Sequence, residues 1–233
     1  MELEELVSPE PSFFARPTVE VARALLGSYL LSEIGGCITG GRIVETEAYL
    51  TDDPASHSYR GERPRNRSMF HAPGTLYVYL IYGVHYCLNV VTAPPGVGEA
   101  VLLRSLEPVW GVEVMARRRR REWDVASARD GVRAEGPPAQ PRERGKLTGI
   151  SDGPGKIATA LAVTLGEDGS SLLTGPLRLL LPGPRGGRGE HQPLADERIV
   201  ATGRIGISTA GDRLLRFVDS KSELLSRRLG KEG

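Results

Sequence analysis

The chain has 233 residues, with 30 Lys+Arg against 29 Asp+Glu and a formal net charge of +1, long enough for one large domain or two small ones with a sizeable core. A charge this near zero excludes attachment to nucleic acid through a global field, so any such binding must come from a local patch. No run approaches the roughly 18 apolar residues of a membrane span. The opening residues Met1–Glu5 are acidic where a secretory signal would be basic, and Cys37 and Cys87 are too few for a disulfide scaffold. A soluble, cytoplasmic protein is expected. Every basic residue except Lys146, Lys156, Lys221 and Lys231 is an arginine. The planar guanidinium suits phosphate, although a GC-rich or heat-adapted genome would produce the same bias.

In chain order, the spacing predicts a first helix from about Thr18, as its N-cap, through Val21, Ala22, Leu25 and Leu26 to a stop at Gly27. Residues 42–49, RIVETEAY, read as a strand with Ile43, Glu45, Glu47 and Tyr49 on one face. Residues 51–74 are rich in Arg, His and Pro and lack periodicity, so they read as a long ordered loop of the functional kind. Thr75 to Val91 reads as a β-hairpin with Tyr82 at its tip. A third strand, Ala100–Leu106, leads into a helix with Pro108 in its first turn and Val109, Val112 and Met115 facing inward. Residues 122–150 are polar and predict a mobile insertion rather than a domain boundary. A short helix then opens at Asp152-Gly-Pro-Gly-Lys156 and runs through Leu161. Strands are expected near 177–181, 204–207 and 214–218, with a loose loop at Gly186–Gly189. No repeats occur.

Candidate chemistry begins with Glu45 and Glu47, because same-face neighbours on a strand stand about 6.5 to 7 Å apart, within the rough separation of an inverting glycosidase pair. A polar strand face turned to water is the plainer alternative. Arg104, on a strand that could neighbour this one, would keep such a carboxylate ionised, as a general base requires. Tyr77, Tyr79, Tyr82 and Tyr86 cluster in the hairpin; core packing explains Tyr77 and Tyr86. A tip has nothing of its own against which to bury Tyr82. A ring there could wedge into a base stack, with Tyr49 and Tyr79 as platforms for an extruded base. Arg60, Arg63, Arg65 and Arg67, beside His57 and Tyr59, could grip a phosphate backbone or form a solvated loop. The run Arg117–Arg121 is less specific, since helix ends collect cations.

Asp152-Gly-Pro-Gly-Lys156-Ile157 fails the nucleotide-triphosphate motif, but a glycine-rich helix start with Lys156 could take one DNA phosphate, or merely turn the chain. His57, His71, His85 and His191 lack metal-ligand spacing, so no metal is expected. Neither G-x-S-x-G nor G-x-G-x-x-G occurs, which removes hydrolase-elbow and dinucleotide readings.

RIVETEAYL (42–50), RPRNRSMF (63–70), PGTLYVYLIYG (73–83) with CLN (87–89), and VLLRSLEP (101–108) resemble bacterial members of the alkyladenine, or 3-methyladenine, DNA glycosylase family. Weaker similarity at FFARP, ARALLG, GPGK, RIGI and LRFV extends the resemblance over nearly the whole chain except 122–150 and the tails. The resemblance implies a fold of class α+β: one mixed domain with a central curved, largely antiparallel sheet, a protruding β-hairpin and surrounding helices. It implies hydrolysis of the N-glycosyl bond of a damaged purine in double-stranded DNA, without metal or organic cofactor. A monomer is expected on separate grounds, because no oligomer-forming heptad or long apolar edge strand stands out. Glu47 then matches the general base and Arg104 a group that positions the attacking water, while Glu45 is structural. Tyr49 and His57 match the residues that sandwich the flipped base, Tyr79 the pocket edge, Asn89 and Leu102 the screen on purine substituents, and Tyr82 the wedge. Val84 and His85 depart from the bulkier tip residues of relatives, so insertion depth and contacts to the opposite strand differ. The spacer from Tyr49 to His57 is one residue shorter than in the mammalian pattern. Cationic 3-alkyladenine or 7-alkylguanine would gain about 0.5–2 kcal/mol from stacking between aromatic faces; neutral hypoxanthine or ethenoadenine needs a protonated leaving group, for which no acid stands out. None of the four lysines sits in the Glu47 motif, so no Schiff-base lyase is expected. Two competing readings stay open at this stage: a non-catalytic module that binds damaged bases, and a carbohydrate glycosidase that uses both glutamates.

Overall fold

The computed structural model describes residues 3–120, 147–183 and 193–230. Most of the predicted insertion, the loop at 186–189, Arg121 and His191 lie outside them. At the centre is the strand carrying the two glutamates, β3 (Thr39–Tyr49), which is longer than predicted. On one face it supplies Ala48 to an apolar core that includes Leu76, Val78, Leu88, Val90, Val101 and Leu103. On the other, Glu45 and Glu47 are also fully buried, which overturns the solvent-facing alternative. The remaining strands are β1 (Leu6–Val7), β2 (Tyr29–Ser32), β4 (Leu76–Ile81), β5 (His85–Val91), β6 (Ala100–Trp110), β7 (Leu177–Pro182), β8 (Ile199–Thr202) and β9 (Arg216–Asp219). They form one antiparallel sheet in the order β1-β7-β2-β3-β6-β5-β4, with β9 joined to β3 and β8 to β9.

The sheet forks at β3. The first half of the strand pairs with β2 from Thr39 to Arg42, and the second half pairs with β9 from Glu45 to Glu47. β6 follows the opposite edge along the whole length. β5 in turn pairs with β6 only through Asn89, Val90 and Val91, so the rest of the β4–β5 hairpin projects beyond that ladder. The N-terminus of α3 (Pro154–Leu161) packs there, with Gly155 against His85. α1 (Thr18–Ala24) covers the core face through Val21 and Ala22, and residues 112–120 form α2, which buries Met115 and Ala116. This is an α+β fold, as expected.

Several boundaries differ from the sequence reading, each for a physical reason. Pro17 is the N-cap of α1, and Thr18 lies inside the helix. Its hydroxyl is drawn into a buried network, 2.8 Å from Thr92 Oγ1 and donating to Glu99. Pro108 belongs to β6 and not to a helix: it faces Gly41 at a register shift, where a missing N–H is tolerated. A side chain at Gly41 would meet the Glu107 carbonyl oxygen at 2.3 Å, so only glycine lets β3 and β6 approach this closely. The expected strand at 204–207 is irregular and the strand precedes it as β8, while the expected 214–218 strand is β9. Ile150, assigned by sequence to the insertion, is packed in the core. The long loop contains a 3₁₀ segment at Pro64–Phe70.

Candidate active site

One transverse row of the sheet assembles most of the candidate residues. Tyr77 lies opposite Asn89, Asn89 opposite Leu102, Leu102 opposite Glu47, and Glu47 opposite Arg216. Period-two alternation adds Tyr79, Cys87, Arg104 and Tyr49 to the same face. Two register shifts between β3 and β6 cancel one another: the ladder skips Val44 on β3 and Arg104 on β6. Bulges re-aim side chains and are common beside active sites; here the skipped residue is the arginine that reaches both glutamates.

Those glutamates have unequal surroundings. Glu45 accepts from Arg104 Nε (3.0 Å), Arg216 Nε (2.7 Å), Ser226 Oγ (2.6 Å) and the Ser226 backbone N–H (2.6 Å). Three of these four donors meet at Oε1 and the Ser226 N–H is alone at Oε2, so Glu45 is the more heavily bound of the two carboxylates. Glu47 accepts three: the Ile205 N–H at Oε1 (2.8 Å), and Tyr49 Oη (2.9 Å) and Arg104 Nη1 (3.2 Å) at Oε2. Oε1 thus has one donor. Burial raises the Glu47 pKa above the usual carboxylate range; Arg104, the Ile205 N–H and the Tyr49 hydroxyl offset part of this, and the nearby Glu45 charge adds to it. A base poised upward in this way is closer to the pH at which proton transfer is useful.

Beside this pair is a cavity of about 350 Å³ whose walls include Tyr49, His57, Met69, Tyr77, Tyr79 and Asn89. That is the lower part of the size range of small-molecule sites. The Tyr49 ring carries the Arg204 guanidinium 4.6 Å from its centroid. Arg204 is held by the buried carboxylate of Asp53, with 2.9 Å between Nη2 and Oδ1, and donates to the Ala48 carbonyl at 3.1 Å. His57 meets Tyr79 edge to face at 4.5 Å and shares a 2.8 Å hydrogen bond with the Tyr77 hydroxyl through Nδ1. Although part of the residue is exposed, desolvation of its ring against the cavity wall lowers the His57 pKa and the Arg65 charge lowers it further, both favouring the neutral imidazole. Burial likewise pushes the Tyr49, Tyr77 and Tyr79 hydroxyls up, and they stay protonated. Asn89 donates to the Tyr77 carbonyl at 3.0 Å, which orients its amide beside Leu102 on the cavity wall.

The rim carries the residues read as DNA contacts. Tyr82 is 83% exposed and holds a left-handed backbone (φ 53°), a strained state for a bulky residue. Strain of this kind clusters at functional positions. Val84, beside it, is also exposed. Arg60, Arg63, Arg65 and Arg67 are all exposed. Their loop is ordered by Asn66, which accepts from the Arg63 N–H (2.6 Å) and donates to the His57 (2.9 Å) and Gly61 (3.2 Å) carbonyls. Arg67 pairs with Glu62 at 3.5 Å. Lys156 already pairs with Asp152 at 2.9 Å, which weakens it as an anion site. Arg118 and Arg119 are structural: Arg118 donates to Thr39, Ala160 and Ile34, and Arg119 to Gly149.

Sequence reasoning missed Arg204, Asp53, Arg216, Ser226 and the Ile205 N–H. All five act across more than 140 positions of chain or from irregular segments, where periodicity carries no signal. Tyr77, read as ordinary core, is both buried and the partner of His57.

An antiparallel α+β scaffold with a deeply buried glutamate and arginine beside an aromatic cavity, under an exposed tyrosine, is the frame of an enzyme that handles a flat ring. A model of the methylpurine-DNA glycosylase (MPG) family matches residues 12–223. A protein of Methanoculleus marisnigri is 43% identical over 217 residues, covering 93% of this chain and 97% of its own. One from Carboxydothermus hydrogenoformans is 39% identical, covering 93% and 97%, and one from Agrobacterium fabrum 40%, covering 95% and 94%. All three carry the provisional name 3-methyladenine DNA glycosylase. The chain belongs to the methylpurine-DNA glycosylase family, and is thus a DNA glycosylase, a hydrolase of N-glycosyl bonds.

Proposed function

We propose that the chain is a monofunctional purine DNA glycosylase of base excision repair, acting as a monomer on the nucleoid in the cytoplasm. Its substrates are double-stranded DNA with 3-methyladenine or 7-methylguanine, and further with hypoxanthine or ethenoadenine, neutral bases whose departure takes up a proton from solvent. The observation that carries this reading is that Glu47 has one donor at Oε1 and that its three partners, Ile205, Tyr49 and Arg104, all line the aromatic cavity. A water there gives its proton to Glu47 while its oxygen attacks C1′ of the deoxyribose. The C1′–N bond breaks with its electron pair going to the purine, which neutralises a cationic base, and an abasic site remains. Glu47 and the water oxygen meet the positive charge that develops on the sugar, and Arg104 holds Glu47 in the geometry required. Tyr49 and His57 stack the extruded base, Tyr79 closes its edge, Asn89 and Leu102 limit its substituents, and Tyr82 with Val84 fills the gap left in the duplex. Arg60, Arg63, Arg65, Arg67 and Lys156 contact phosphates. The carbohydrate alternative loses its second carboxylate, because Glu45 is tied to Arg216 and Ser226, neither of which lines the cavity.

The test is single-turnover excision from a duplex with one 7-methylguanine, scored as alkali-labile sites, for wild type and Glu47→Gln. Product from wild type and none from the variant, with lesion binding retained, is expected. Tight binding without wild-type product would instead mean a damage-binding module. Borohydride should trap no covalent adduct; an adduct at Lys156 would overturn the assignment as monofunctional.

A further inference from the structure

The irregular segment after β9 lies against the buried side of the two glutamates and is tied down along its length. Ser222 Oγ donates to Glu107 Oε1 at 2.7 Å, Ser105 Oγ donates to the Leu224 carbonyl, and Arg216 Nη2 donates to the Arg227 carbonyl at 2.6 Å. Between these anchors is Ser226. Its hydroxyl donates to Glu45 Oε1 (2.6 Å) and accepts from Arg104 Nη2 (3.1 Å) and Nε (3.3 Å). That fills the one donor and two acceptor positions of a serine. Its backbone N–H takes the other Glu45 oxygen at 2.6 Å. Ser226 lies outside the residues 12–223 matched by the family, and it lines no part of the cavity.

We propose that Ser226 is a positioning residue for base excision: its hydroxyl locks the Arg104 guanidinium against Glu45, so that Nη1 remains aimed at Glu47. The inference rests on the reading of Glu47 and Arg104 as the reaction centre. An arginine has a planar fork, so fixing Nε and Nη2 on one side fixes where Nη1 points on the other. Without Ser226 no described residue holds Nη2, the guanidinium keeps only the contact of Nε to Glu45 and the longer one of Nη1 to Glu47, and Glu45 loses one of its four donors. The groups around Glu47 are Glu45 and Tyr49 on β3, Arg104 on β6, Cys87 on β5, Arg204 and the Ile205 N–H after β8, and Arg216 on β9. Among these Glu45 is the like charge, so exposing more of its charge raises the Glu47 pKa further.

The experiment uses the full chain with Ser226→Ala, Ser226→Cys and Ser226→Thr, and a duplex carrying one 7-methylguanine. The maximal single-turnover rate should fall about ten- to a hundredfold in the Ala and Cys variants, the scale of one hydrogen bond to a charged group. The enzyme concentration at half-saturation should not change, the acidic limb of the pH profile should move upward, and Thr should restore both rate and limb. A Cys variant of wild-type thermal stability separates this effect from misfolding, since a thiol keeps the shape but donates weakly. Wild-type rates in Ala and Cys, or a loss that Thr does not restore, would overturn the inference. If Glu47→Gln excises normally, the reaction centre itself is misassigned; if it is inactive while Ser226→Ala is normal, only the role of Ser226 fails.

Discussion

At the scale of single residues, the site is built by pairing its buried charges with one another. Asp53 and Arg204 are both fully buried in side chain and brace the Tyr49 ring. Burial alone would raise the Asp53 pKa, but the Arg204 hydrogen bonds and the Ala55 N–H take it below the usual value. Because the folded value is the lower one, this pair stabilises fully above the unfolded carboxylate pKa of about 3.9 and is lost as pH falls through the folded value. Arg204→Ala should cost about 3–5 kcal/mol in urea unfolding at pH 7, since it leaves a buried carboxylate unpaired. The deficit should narrow as Asp53 protonates below pH about 4; a deficit independent of acid would refute the pairing. For Glu47 the sign is opposite. Its pKa is raised, so excision of a cationic lesion should fall on acidification at a pH above the roughly 4.3 of a free glutamate. A pH–rate profile with its acidic limb at or below that value would contradict the assignment.

At the scale of elements, the hairpin and the β3–β6 ladder do different work. The alternation in β3 and the aromatic runs flanking Tyr82-Gly83 are legible because period-two patterning and turn chemistry are local. The tip behaves as a tool set apart from the core, since the Tyr82 ring is exposed. Tyr82→Ala should therefore change stability by less than about 0.5 kcal/mol and still lower excision from duplex DNA. Excision from a single-stranded lesion, which needs no gap filled, should be spared; equal losses on both substrates would mean that Tyr82 is not a wedge. The ladder is less legible. Nothing in VLLRSLEP signals that Arg104 is the skipped residue of a bulge, or that the strand runs on through Pro108 to Trp110, because a bulge is decided by two strands together.

At the scale of the whole molecule, a net charge of +1 provides no global field for DNA, so the proposed phosphate contacts fall to the ordered arginine loop around Asn66. The logarithm of affinity for lesion duplex should fall linearly with log[salt], and Arg63→Ala or Arg65→Ala should each reduce that slope by about 1. Binding titrations that give the same slope in wild type and variants would remove the loop from the interface. The sequence by itself determined the strand with its two glutamates, the hairpin and its exposed tip, the arginine loop and the resemblance to a glycosylase family, because these are carried by short-range pattern. The residue pattern did not separate the two glutamates, and only the family resemblance assigned Glu45 to structure. Tertiary structure alone made their surroundings unequal, by bringing Arg216 and Ser226 to Glu45 from more than 170 positions away and the Ile205 N–H to Glu47. Which acceptor positions are filled is a property of all the donors that meet at a carboxylate, and these converge only when the chain is folded.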